Sequence, residues 1–372
     1  MRVIAPLASP ESWAAVGDRR IHPLRDGGRV ELELRRATAG GFEVRPYGLG
    51  DTGLFVVELD HAQAAGRFLL TAENELLTFG LLHNPPALLR RTRVLSPDGS
   101  ARLSRPPNVP RLEGSTLYLG GNPKRSDVFY HFMFNAALQL PLVAAWRGFE
   151  GFDRILIRQN LSPGQRLWLE RLGAPPDKLV EAAGEDAWIE LEHVFAPSLP
   201  FRHEQRTARD ISGSAHALAL ARERLLGARP SPRPGRGRRI HLSRGDAVRR
   251  RIVNEPELRA LLDRLGFETM HMGELSVGEQ ISLMGESDLL LGPHGSQLGV
   301  AFLAPPHAHL IELMSANHAN LNTMMTPSLL VGQTGWRVIG EPVGEGDVDF
   351  HAPLDQVEST VKAALQRLSE AS

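Results

Sequence analysis

Between Arg238 and Leu313, stretches of strand length recur, alternating with stretches that have the length and pattern of a helix. Arg239–Ser243, Phe267–His271, Leu289–Leu291 and His309–Leu313 read as strands. Asn254 and Glu257 make a capping-box-like start to one intervening helix, which ends at Gly266. Ser276 and Glu279 make a better capping box for the next, which runs to Ser287. Strands alternating with helices of this length imply a parallel sheet. The turn Gly292-Pro-His-Gly295 then leads into a helical stretch, Ser296 to Phe302.

The rest of the chain is organised around this unit. Residues 1–110 alternate apolar and polar positions between glycine and proline turns, which predicts short β-strands. From 115 to 226 the period changes to strand and helix again: Leu117–Leu119, a helix from Phe129 to Ala144, Arg154–Ile157, a helix from Pro163 to Leu172, and His193–Ala196. These two stretches form one expected domain, 1–226. The proline, glycine and arginine of 227–237 suit only a linker, and 238–345 forms a second α/β domain. Two parallel sheets in tandem are expected to face a cleft at the carboxyl ends of their strands. A final helix at 353–370 carries Leu354, Val357, Val361, Leu365 and Leu368 on one stripe and is expected to pack back across the junction.

Composition narrows the function. A net charge of -1 over 372 residues gives no reason to expect nucleic acid as a partner. The absence of cysteine excludes a disulfide framework and a thiolate metal site. The start of the sequence lacks the pattern of a signal peptide, and no stretch is apolar enough to span a bilayer. A cytoplasmic location is expected, with peripheral contact at the inner membrane open through an acceptor lipid; a homodimer is compatible with the sequence.

The chemistry-bearing residues cluster at strand ends. At Gly292-Pro-His294-Gly295 and Ser296, backbone N–H groups and the start of a helix suit a phosphate, although an ordinary βα turn also needs glycine. Arg244 ends the first strand of the same unit and offers a planar fork that fits a diphosphate; Arg251 could add a second cation. Glu312 ends a third strand, where an acid can accept from ribose hydroxyls. In the N-terminal half, His131 sits among aromatics at a helix start and is a candidate general base, with Asp127 as the second; a buried structural histidine is the commoner outcome. His307, His309 and His318 match no metal-ligand spacing, so no metal is expected.

Taken together, Arg239-Ile-His-Leu-Ser-Arg244, Arg250-Arg-Ile-Val-Asn-Glu255, Gly266-Phe-Glu268, Glu279-Gln280, Gly292-Pro-His-Gly295 and Ile311-Glu-Leu313 resemble the family-61 glycosyltransferases, in particular their bacterial polysaccharide-type members. The resemblance covers about Leu117 to Leu313. It implies a GT-B fold of two Rossmann-like domains and an inverting, metal-independent transfer from a nucleotide-sugar, a UDP-sugar first, to a saccharide or glycoconjugate hydroxyl. By position, Arg244 and the His294-Gly295 turn would hold the diphosphate, Glu312 the ribose, and His131 would face the acceptor. The chain departs from the family at Ser296-Gln297, where small residues are usual, and at Asn135, where an acid is usual. A silent nucleotide-sugar-binding protein is the alternative reading.

Overall fold

The computed structural model describes residues 2–5, 7–8, 20–25, 28–39, 41–51, 53–66, 68–77, 81, 101–120, 128–157, 160–182, 187–203, 211–318, 324–345 and 348–371. They fall into two units, 1–28 with 50–224 and 29–49 with 225–372. The β-rich N-terminal stretch is thus divided, and 29–49 lies in the second unit.

In the second unit, Glu268–Met270, Arg238–Leu242, Ser287–Pro293, His309–Ser315 and Thr334–Pro342 lie side by side in that spatial order, all parallel. Counted along the chain, the order is 2-1-3-4-5, that of a doubly wound sheet. Gly28–Thr38 extends the sheet in parallel beyond Thr334–Pro342. Every residue of Ser287–Pro293 and of His309–Ser315 is buried, which accounts for the apolar stretches Leu289–Leu291 and Leu310–Ile311 at their centres. The chain order reverses between Arg238–Leu242 and Ser287–Pro293, and open α/β sheets bind ligands at the carboxyl end of such a pair. His241 lies opposite Leu291 in the register, so Ser243-Arg244 and His294-Gly295 leave the sheet as neighbours.

The crossover helices form as their sequences dictate. Ser276 and Glu279 make the reciprocal capping box that opens Val277–Gly285. Glu255–Arg264 ends at Gly266, whose φ of +77° gives the left-handed turn that stops a helix. The cap expected at Asn254 is absent: its side chain instead donates to the Ala352 carbonyl at 2.9 Å and accepts from the Ala352 amide at 2.8 Å. Ser296–Leu303 is a 3₁₀ helix. Leu354–Glu370 buries Val357, Val361, Ala364 and Leu368 with Leu258, Leu261, Ile311 and Trp336 in the core of its own unit. Each leucine so buried contributes about 1.5–3 kcal/mol.

In the first unit, Leu179–Glu181, Arg154–Ile157, Arg111–Leu119 and Trp188–Pro197 are parallel neighbours, in chain order 3-2-1-4. Leu54–Ala65 pairs antiparallel with Trp188–Pro197 and continues the sheet into Phe68–Leu70 and Leu76–Leu77, so this sheet is mixed. The helix expected from Phe129 is broken into Phe129–His131, a π turn at Phe132–Ala137, and Gln139–Trp146. Pro163–Arg171 carries a capping box of Ser162 and Gln165.

Candidate functional site

Arg244 lies two residues beyond the end of the Arg238–Leu242 strand, and its guanidinium lies across Gly295. A side chain at 295 would bring its first carbon to 3.0 Å from Arg244 Cζ and closer still to Nη1. Gly295 itself is extended, with φ 176°, so it is the close approach rather than backbone conformation that calls for glycine. The two residues that sequence reasoning assigned to one anion site are therefore in contact. The turn carrying Arg244 is built by side chains. Ser243 Oγ donates to Glu255 Oε1 and accepts from the Gly245 amide at 3.1 Å. Arg244 Nη2 reaches the Arg249 carbonyl at 3.4 Å. Arg250 adopts a left-handed φ of +59°, rare for a residue with a side chain, which places strain within this turn.

On the neighbouring strand end, His294 Nδ1 donates to Glu312 Oε1 at 2.8 Å. A carboxylate only accepts, so this bond fixes the proton on Nδ1 and the lone pair of the neutral ring on Nε2. Glu312 is fully buried; the Met324 amide reaches the same oxygen at 3.2 Å and Arg337 Nη2 reaches Oε2 at 3.4 Å. Glu312 thus joins His294 to Arg337 from the middle of the His309–Ser315 strand, not from a strand end as the sequence suggested.

The remaining donor-side residues have distinct places. Arg251 sends Nε and Nη2 to Asp349 Oδ2 at 3.0 and 2.8 Å, so its fork holds the 349–350 segment. Ser296, partly exposed, opens the 3₁₀ helix after Gly295. Gln297 Nε2 donates to the Leu242 carbonyl at 2.9 Å and ties the two switch-point strands together, which accounts for a larger residue after Pro-His-Gly. His307 bonds Asp288 and His309 accepts from the Trp336 indole, so these histidines serve separate structural partners.

A pocket of about 450 Å³ opens beside Ser243 and Gly245, with Glu255, Arg259, Ala260 and His271 in its wall. His241 is buried behind it: Nδ1 meets Thr269 Oγ1 at 3.1 Å, and Nε2, 4.0 Å from Glu255 Oε1, has no hydrogen-bond partner among the described residues. Burial, followed by the charges of Arg259 and His271, pushes His241 down to about 4. His271 Nδ1 is likewise buried without a hydrogen-bond partner among the described residues. None of this was anticipated, although Glu255 stood in the Arg250–Glu255 motif.

In the first unit, His131 Nδ1 lies 3.0 Å from Asn135 Oδ1. Asn135 is fully buried and its Nδ2 donates to the Phe201 carbonyl at 2.8 Å, so Oδ1 is the acceptor and Nδ1 of His131 the donor. The neutral ring then carries its lone pair on Nε2, the state a general base needs. The pair straddles the start of the π turn, a feature frequent at functional sites. Asp127 lies outside the described residues.

In the second unit the switch point of a doubly wound sheet presents an arginine over a glycine turn, at the edge where open α/β folds bind ligands. Residues 129–311, just under half of the chain, match the family model described as Glycosyltransferase 61, which supports a glycosyltransferase of that family. No curated protein matches it.

Proposed function

We propose that the chain transfers a sugar, with inversion, from a UDP-sugar to a hydroxyl of a saccharide or glycoconjugate. The observation that carries this is the Arg244 guanidinium lying over Gly295 at the switch point of the second unit. That unit, with strand order 2-1-3-4-5, is the Rossmann-like donor domain of a GT-B enzyme, and the first unit, with 3-2-1-4, is the acceptor domain.

The acceptor oxygen attacks the anomeric carbon as the bond to the diphosphate breaks, and the electron pair leaves on the phosphate oxygen. His131 Nε2 takes the hydroxyl proton; Asp127 is the second candidate. Arg244 and the N–H groups at Gly295 and Ser296 stabilise the departing diphosphate, the task a divalent cation performs in other enzymes. His294, held by Glu312, presents Nε2 from the same turn. Arg251 acts indirectly by anchoring the strained turn to Asp349. Glycosyl transfer is tested by incubating the chain with UDP-sugars and saccharide acceptors while following UDP release and product configuration by NMR. Retained configuration would overturn the single-displacement mechanism, and transfer only from another nucleotide-sugar would overturn the donor assignment.

A further inference from the structure

We infer that the pocket between the carboxyl ends of Arg238–Leu242 and Glu268–Met270 receives the nucleoside end of the donor, with Glu255 accepting from ribose and Arg259 and His271 flanking the base. The inference rests on the reading of Arg244 and Gly295 as the diphosphate site.

Position is the first argument. In doubly wound sheets the phosphates sit at the turn after the first strand, and the ribose is met at the end of the second. Here the second strand, Glu268–Met270, is the immediate neighbour of Arg238–Leu242, about 4.8 Å away, and His271 follows its last residue. Ser243 and Gly245 line the pocket and flank Arg244 in sequence, so a ligand with its phosphates on Arg244 reaches the pocket directly.

Chemistry is the second argument. The pocket, about 450 Å³, falls in the range of small-molecule sites. Two buried ring nitrogens, His271 Nδ1 in its wall and His241 Nε2 behind Glu255, have no hydrogen-bond partner among the described residues, an unusual cost for buried polar atoms unless a ligand or water meets them. Ser243 occupies Glu255 Oε1, while 15 % of the Glu255 side chain stays exposed to receive a hydroxyl. Arg259 offers a planar guanidinium that stacks on a base. Glu312, the acid expected to meet the ribose, is fully buried with both oxygens engaged.

Calorimetry of the full chain with UDP and with inorganic pyrophosphate tests this. Ala260→Trp fills the pocket, and Arg259→Ala and His271→Ala strip its walls; Ala260 and Arg259 are exposed, so those two variants leave the core intact. Each substitution is expected to lower UDP affinity by about tenfold, the loss of one good contact, and to leave pyrophosphate affinity within about twofold. Unchanged UDP affinity in all three variants overturns the inference. So does a parallel loss for pyrophosphate, which would mean that these residues act through the Arg244 turn. A native chain that binds neither ligand would overturn the diphosphate reading itself, and the inference with it.

Discussion

The guanidinium of Arg244 occupies the space that a side chain at Gly295 would need. Because Gly295 is extended, alanine meets no backbone strain there; its methyl group simply displaces the end of a flexible side chain. Gly295→Ala is therefore expected to fold with a melting temperature close to that of the native chain while UDP affinity falls about tenfold or more. Calorimetry beside thermal denaturation separates the two effects, and unchanged affinity would show that the Arg244–Gly295 contact is incidental.

Arg244→Lys and His131→Asn should report on different steps. Lysine keeps the charge but loses the fork, so turnover and donor affinity both drop. Asparagine at 131 removes the base, and turnover is expected to fall about 10²- to 10⁴-fold with donor affinity largely kept. Steady-state rates and UDP titration on both variants decide this. Near-native turnover in His131→Asn would make it a packing residue held by Asn135.

The arrangement at the donor edge also bears on metals. In the proposed mechanism Arg244 and the N–H groups at Gly295 and Ser296 stabilise the leaving group, so turnover is expected to survive EDTA. Loss of activity that manganese or magnesium restores would remove the metal-independent mechanism.

Glu312 links a buried network, and breaking it should cost stability as well as activity. Glu312→Ala leaves Arg337, 9 % exposed, without its carboxylate and lets His294 rotate. Removing one partner of a buried ion pair typically costs about 3–5 kcal/mol. Urea denaturation measures it; a loss under about 1 kcal/mol would show that the Arg337 contact at 3.4 Å carries little.

What could be read in advance follows from where the information lies. The strand at Leu289–Leu291 and the Ser276–Glu279 cap are local, written in consecutive residues, and both appear in the structure. The meeting of Arg244 with Gly295 was legible because strand ends in a parallel sheet share one edge. Asn254 was misread because its partner, Ala352, lies 98 residues away, and a capping residue and a long-range tether look alike in sequence. The same holds for Glu312, whose burial depends on Arg337 and His294, and for residues 29–49, whose alternation marks a strand but not the sheet it joins.

Histidine protonation should set the acid side of the stability curve. Burial, reinforced by Arg259 and His271, lowers His241 from 6.5 to about 4; burial, with Arg367, Arg35 and His307, lowers His309 equally. Between those values the unfolded chain binds more protons than the folded one, so stability rises with pH across this window and falls on acidification from 6.5 toward 4. Each histidine is expected to withdraw about 1–2 kcal/mol between pH 7 and pH 5. Glu58 behaves differently: burial works to raise it, but hydrogen bonds from His22 and His193 and the charge of Arg20 hold it below its ordinary range. Its contribution is present above its unfolded value of 4.5 and is lost only as pH falls below that, so it leaves the pH 5–7 window to the histidines. Urea titrations at pH 5, 6 and 7 on the native chain and on His241→Gln measure the effect. The variant should show a shallower dependence, because glutamine cannot take up the proton in the unfolded state; an identical slope would mean that His241 is charged in the folded protein and that its surroundings accommodate the charge.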